Sequence, residues 1–387
     1  MKKLIGFVSQ SNPFTDRIAW SGTSYKMREA IENAGYEVKW IQVQPNKVLL
    51  FFLKVVFRII FHTRDWAWSN AYRWLCAQSV NTDDIIHCDY LFFPGGAQIT
   101  KYLKKRLCKM PPVIYVADAC FRQMLNYYWY DIPRWIEHQA DEQEKSATDN
   151  STLVIKSSDW ALNSVIHDYG CPKDKAFVLE FGANIDEKDI VEAEPYRGGE
   201  LRILFSGTNW KRKGGDIAID TVRKLNENGL NAKLFLVGLD ADKIPTAYQN
   251  VDGVEYVGYL NKNNPQQYNK YIEIIRHCHC LLLPTHAECS AMVLCEAAAF
   301  GLPSFIYDTG GLANYVINGK NGYRLDSHST ADDFAKVMMR TIDNDEFEKH
   351  HRGALTLYAE KLNWTSWSQR LSELIESTPV TSLTVRQ

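Results

Sequence analysis

Short apolar runs and amphipathic segments alternate along this chain. LIGFVS (4–9), YEVKWIQV (36–43), DYLFFPGG (89–96), PPVIYVAD (111–118), LVIKSSD (153–159) and AFVLEF (176–181) read as buried strands. Helix-like stretches such as YKMREAIENAG (25–35) and WALNSVIHDYG (160–170) separate them. A polar stretch, DEKDIVEAEPYRGGE (186–200), interrupts the rhythm. It then restarts with LRILFSG, a long helix to Gly229, AKLFLVG, VEYVGYL, a helix near Tyr268 to His277, HCLLLPT and PSFIYDTGG. Strand–helix alternation of this kind predicts doubly wound α/β domains. Two are expected, joined near Asp186 to Glu200: 1–187 together with a closing helix at 364–377, and 188–363. Residues 378–387 read as a loose polar tail.

One segment breaks the pattern. VLLFFLKVVFRIIF (48–61) is almost continuously apolar but carries Lys54 and Arg58 one helical turn apart, with Trp66, Trp68, Arg73 and Trp74 close behind. Two readings stand: a core helix whose cations snorkel to the surface, or an interfacial helix in a membrane surface with tryptophans at headgroup level. The basic run Lys101, Lys104, Lys105, Arg106 and Lys109 is either a solvated helix face or an added attraction for anionic lipid.

Composition narrows the class. The 387 residues suffice for two or three domains, and a formal net charge of −2 gives no global reason to expect nucleic acid. Nine cysteines without a CxxC pair point to a reducing, cytoplasmic compartment. The apolar run Leu4 to Val8 is too short for a signal peptide, and no uncharged apolar stretch is long enough for a spanning helix.

The chemistry concentrates in 279–311. An apolar strand, Leu281 to Pro284, leads through a loop to a helix-forming run, with Ser290 expected as its N-cap. Glu288 falls on the loop and Glu296 near the second helical turn, so two carboxylates flank a helix end suited to an anion. Upstream, Lys211, Arg212 and Lys213 precede Gly214-Gly215; this is no P-loop, and it reads either as a solvated turn before a helix or, with the second loop around Glu288, as a cationic turn that suits phosphate oxygens. Asp118, after VIYVA, is either a functional strand-end carboxylate or a helix cap. His277-Cys278-His279-Cys280 lacks the ligand spacing of a zinc site, so no metal is expected there, and His350-His351 reads as solvated.

WKRKGGDIAID (210–220) followed by PTHAECSAMVLCEAAAFGLPSFIYDTGG (284–311) resembles the retaining glycosyltransferases of family 4, of the bacterial surface-glycan type. The separation of Glu288 and Glu296 fits that family's E-x7-E motif, and GANID (182–186), NGKNGYRL (318–325) and WSGTSYKMREAI (20–31) are also similar to its members. The resemblance implies a GT-B fold: two Rossmann-like domains facing across a cleft, the first binding acceptor and the second donor, with the last helix returning to the first domain. It implies that Lys213 and Arg212 hold the donor diphosphate, that Glu288 accepts hydrogen bonds from the transferred sugar, and that Glu296 accepts them from the ribose. Ser290, Ala291 and Met292 would offer backbone N–H groups, Tyr259 and Leu260 would meet the base, and Gly22 would let the first-domain loop approach the diphosphate. Asp118 occupies the region where such enzymes carry a histidine, and Thr208 stands where they have an arginine. The expected reaction moves a hexose-type sugar from a nucleotide diphosphate sugar to a glycan or lipid-linked glycan, with no cofactor or metal beyond the donor. The alternatives are an inactive, membrane-associated scaffold of the same fold, or an epimerase or phosphorylase. Expected partners are therefore the donor, the acceptor and, through 48–61, the inner face of a membrane; no nucleic acid is expected.

Overall fold

The computed structural model describes residues 2–378 and 383–384. The chain divides into two compact units, Met1–Leu179 with Ser368–Gln387, and Glu180–Trp367. The division thus falls earlier than 187/188, and the closing helix, Trp364–Ser377, passes from the second unit into the first at Ser368. Of the expected loose tail, residues 379–382 and 385–387 lie outside the described residues; Leu383–Thr384 pair antiparallel with Lys109–Met110.

The first unit is built on six parallel strands: β1 (Leu4–Ser9), β2 (Glu37–Gln42), β3 (Tyr90–Pro94), β4 (Val113–Ala117), β5 (Leu153–Lys156) and β6 (Ala176–Val178). Their order is β2-β1-β3-β4-β5-β6. Its helices are α1 (Thr23–Asn33), α2 (Lys47–Ile59), α3 (Asn70–Ser79), α4 (Arg134–Asp149) and α5 (Asp159–His167). Strands β3, β4 and β5 are buried along almost their whole length, as parallel strands covered on both faces must be. Lys156 at the end of β5 is fully buried and lies 3.6 Å from Glu144, which also accepts from Tyr115 Oη at 2.8 Å and Gln98 Nε2 at 2.6 Å.

The second unit repeats the plan with β7 (Leu201–Ser206), β8 (Ala232–Val237), β9 (Val254–Gly258), β10 (Cys280–Leu283), β11 (Ser304–Tyr307) and β12 (Gly322–Leu325). The order β9-β8-β7-β10-β11-β12 is again parallel throughout. Its helices are α6 (Gly215–Glu227), α7 (Pro265–His277), α8 (Met292–Ala299), α9 (Ala331–Asp343) and α10 (Phe347–Glu360). In both sheets the strand order reverses once, between β1 and β3 and between β7 and β10. Loops leaving the carboxyl ends of those strand pairs diverge and open a crevice, where α/β proteins hold ligands.

Two expectations fail here. His350 and His351 are buried, not solvated. The inward face of α10 is Phe347, His350, His351, Ala354 and Leu357, a helical period that the charged neighbours disguise. The basic run 101–109 is not a helix face. It forms one turn, Thr100–Leu103, and three of its five cations are used locally: Lys101 pairs with Glu142, Lys104 donates to Asn150 Oδ1 at 2.8 Å, and Arg106 donates to Val80 O at 2.9 Å.

Candidate active site

The crevice of the second unit is made by the loops after β7 and β10. The first is a single turn, Trp210–Lys213, capped by Asn209, whose side chain accepts from Arg212 N at 2.9 Å. Gly214 closes that turn at φ +70°, and a Cβ there would meet Pro284 O at 2.1 Å, so only glycine allows this approach. His286 N and Thr285 Oγ1 both donate to Arg212 O, at 2.8 and 3.2 Å. The two loops are therefore fixed to one another by backbone before any side-chain charge is considered.

Lys213 Nζ and Arg212 Nη1 both reach Glu288 Oε2, Arg212 at 3.1 Å, and Arg212 Nη1 also donates to Ala287 O at 2.9 Å. Lys213 and Glu288 are buried, and burying either charge alone would cost several kcal/mol in desolvation. Two cations against one carboxylate leave positive charge in excess. The cluster is held together by its own pairing and still suits an anion.

Helix α8 starts at Met292 with Ala291 at the N-cap position, so Ser290 is not the cap. It stands one residue too early, and Ala291 occupies the cap position with no side-chain acceptor. Instead Ser290 Oγ is buried without a hydrogen-bond partner. An orphaned hydroxyl beside a helix end whose first N–H groups lack intrahelical partners is a place for a polar ligand. Ala291 and Met292 lie at that same end, both buried. Glu296, on the second turn, is buried and accepts from Tyr271 Oη at 2.6 Å and from Lys262 Nζ. Burial and the neighbouring Glu296 charge push the Tyr271 phenol well above its ordinary range, so it stays protonated and donates. Sequence reading missed Lys262 and Tyr271. Both lie 25 or more positions from Glu296, and no spacing rule links them.

At the end of β9, Tyr259 is exposed and Leu260 half-buried. The Tyr259 N–H donates to Asp240 Oδ1 at 3.1 Å, which together with Lys243 holds the Asp240 carboxyl below its usual range. That amide is thus already engaged within the fold.

Gly22 and Asp118 lie in the first unit, around its own crevice. A cavity of about 400 Å³ opens there between Gln10, Trp20, Arg73, Gly95 and Asp118. Asp118 follows β4 and accepts from Trp20 Nε1 at 3.1 Å. The helix-cap reading of Asp118 is excluded, because the next helical turn, Phe121–Met124, has Cys120 at its cap position. Trp20 and Ser21 adopt φ +50° and +58°, and Gly22 follows at +90° as the N-cap of α1. Left-handed conformations at two non-glycine residues cost energy of order 1–3 kcal/mol each, and such strain clusters at ligand sites. Gln10 carried no sequence signal, and nothing in the sequence tied Trp20 or Arg73 to this cavity, since the three come together only through the strand order.

Among the described residues no three His, Cys, Asp or Glu side chains converge as metal ligands. Within 277–280, His279 Nδ1 accepts from Arg202 N at 3.0 Å and the Arg202 guanidinium lies 3.0 Å from Nε2. Burial and Arg202 pull the imidazole pKa down to about 4. Burial pushes the Cys278 and Cys280 thiols up.

Residues 186–355 match the family model described as Glycosyl transferases group 1. The chain is 25% identical over 248 residues to a D-inositol 3-phosphate glycosyltransferase of Corynebacterium aurimucosum, covering 60% of this chain and 58% of that protein. It therefore spans less than two thirds of that relative's own length. Among solved structures, sucrose-phosphate synthase from Thermosynechococcus elongatus superposes with a TM-score of 0.67 at 16% identity, over 97% of this chain and 98% of that one. Anabaena HepE in complex with UDP and glucose gives 0.62 at 14% identity, over 96% and 99%. At these identities the structural matches show the fold, GT-B, with two six-stranded parallel-sheet units.

Proposed function

With residues 186–355 belonging to the glycosyl transferases group 1 family, we propose that the chain transfers a hexose-type sugar, with retention, from a nucleotide diphosphate sugar to a glycan or lipid-linked glycan. The observation that carries this reading is the convergence of Lys213, Arg212 and Glu288 at the strand-order reversal of the second sheet, beside the amino end of α8. Breaking the bond between the anomeric carbon and the phosphate oxygen leaves negative charge on the diphosphate. Two fixed cations and a helix amino end meet that charge where it develops. The acceptor hydroxyl attacks the same face of the sugar, and its proton passes to the leaving phosphate oxygen. No protein side chain needs to become a covalent nucleophile. Glu288 orients the sugar while balancing the cations, and Glu296 accepts from the nucleotide ribose. The first-unit cavity, with Asp118 and Trp20 in its wall, receives the acceptor.

The cationic pair can take the place of a divalent ion, so activity is expected to survive EDTA. The relative of known structure crystallised with UDP and glucose makes UDP-sugars the first donors to try. The test is thermal shift with UDP, GDP and ADP and their sugars, followed by nucleotide release in the presence of candidate acceptors. One nucleoside diphosphate should raise the melting temperature and its sugar should be turned over. No shift with any of them would overturn the reading. Inorganic phosphate as an obligatory co-substrate would assign a phosphorylase.

A further inference from the structure

Helix α2 holds its first turn with Asn46, whose side chain accepts from Val48 N and Leu49 N at 2.9 and 3.2 Å. Its inward ridge is Leu50, Leu53 and Phe57, which pack against the cores of the first unit. That ridge satisfies the protein. The opposite side is nevertheless apolar: Val48, Phe51, Phe52 and Ile59 are 61, 62, 58 and 64% exposed, and Leu49, Val56, Ile60 and Phe61 join them. Soluble monomers seldom leave contiguous apolar patches beyond about 300–600 Å² without a use for them.

Charge decides what the use is. Lys47, Lys54 and Arg58 recur at i, i+7 and i+11, which 3.6 residues per turn brings within about 40° of each other on one flank of the apolar face. No acidic residue occurs from Val38 to Arg64. Lys54 rests over the Trp66 ring at 4.6 Å, and no carboxylate pairs with Lys47, Lys54, Arg58 or Arg64 among the described residues. At the helix's far end Phe61 packs on Trp135 at 5.0 Å, next to the exposed Arg134. An apolar ridge flanked by unpaired cations, with Trp66 and Trp135 beside it, matches the boundary between lipid headgroups and acyl chains. A second copy meeting it through the same face would bring the same cations and, from Val38 to Arg64, no acid to meet them.

We propose that the outer face of α2, Val48 to Phe61, docks the protein onto an anionic lipid surface. The helix lies in the interface plane; among the described residues no helix is long and apolar enough to cross a membrane. This surface is independent of the sugar-transfer reading, because its readout is binding and not turnover.

The test is co-sedimentation of the full chain with vesicles of phosphatidylcholine alone or with about one third phosphatidylglycerol, at low and high salt. The chain should sediment with the anionic vesicles and release as salt rises. The double substitution Phe51→Ser, Phe52→Ser should lower the partition coefficient at least about tenfold. Lys54→Glu with Arg58→Glu should remove the preference for anionic vesicles by about tenfold or more. All four side chains are exposed, so melting temperatures should match the parent and exclude misfolding as the cause. Failure to bind anionic vesicles at low salt would overturn the proposal, as would equal binding by parent and both variants. A dimer in solution that Phe51→Ser, Phe52→Ser dissociates, without vesicle binding, would assign the face to a second copy instead.

Discussion

Between β7 and β10 the crevice is furnished with charges that answer one another: Lys213 and Arg212 on one loop, Glu288 on the next. Between β1 and β3 the equivalent crevice has a strained turn, Trp20 to Gly22, and a single carboxylate, Asp118, held by an indole N–H. The same reversal of strand order produces both openings. What differs is what each can hold. A buried cluster with excess positive charge suits an anion such as a diphosphate, through strong, short-range electrostatics. A cavity with one carboxylate, one guanidinium and an aromatic wall suits a neutral polyhydroxyl compound, through hydrogen bonds and stacking.

The largest effect expected from this division is at Lys213. Lys213→Ala removes one of the two cations that meet the buried Glu288 carboxylate. Turnover should fall by about 10²–10³, or about 3–4 kcal/mol of transition-state stabilisation. Donor affinity by thermal shift should fall with it. Parental turnover in the variant would show that the diphosphate is not held here. In the first unit Asp118→Asn keeps the size and an acceptor oxygen but loses the charge. It should lower kcat or raise the acceptor KM, about tenfold to a hundredfold together. Nucleoside diphosphate affinity should remain as in the parent. An equal loss of donor affinity would dissolve the distinction between the two crevices.

A third test uses the opposite end of β10, away from the loop that carries Glu288. His279 sits beside Arg202 with its pKa drawn down to about 4. The unfolded chain, with an ordinary value near 6.5, binds more protons between those limits. The contribution to stability is therefore full above pH 6.5 and drains away as pH falls towards 4. Between pH 7 and 5 the loss should be about 2 kcal/mol at most, and His279→Gln should flatten that part of the profile. Unfolding in urea at the two pH values measures it. An unchanged slope in the variant would place the titrating group elsewhere.

How far the sequence carries depends on the range of the interaction. The run from Leu281 to Ala299 shows its strand, loop and helix directly, because apolar periodicity and the closing Gly301 are local signals. The loop charges around Glu288 were legible for the same reason, as was the double α/β rhythm. The Ser290 cap was off by one residue, since cap placement depends on backbone dihedrals that composition does not encode. His350 and His351 were misread because two histidines inside EKHHR look charged, whereas their helical period with Phe347 and Leu357 places them inside. Lys262, Tyr271 and Gln10 were out of reach altogether, and Arg73, visible only as a cation near the 48–61 segment, could not be tied to its cavity. Each meets its partners through strand order or loop approach, which follows from the whole sheet.

Glu296 offers the smallest test, and it separates the two glutamates of one motif. Glu288 answers cations and lies on a loop, while Glu296 is buried on α8 between Tyr271 and Lys262. If Glu296 binds ribose, Tyr271 fixes which oxygen remains available for it. Tyr271→Phe keeps the ring and deletes only the donor to Glu296 Oε2. The carboxylate then loses one of its hydrogen bonds while Lys262 continues to balance its charge. Nucleoside diphosphate affinity should weaken about fivefold, or about 1 kcal/mol. Binding of inorganic diphosphate, which has no ribose, should not change. A loss shared equally by the two ligands would mean that Tyr271 supports α8 as a whole. A loss confined to the nucleotide places Glu296 at the ribose and leaves the diphosphate to Lys213 and Arg212.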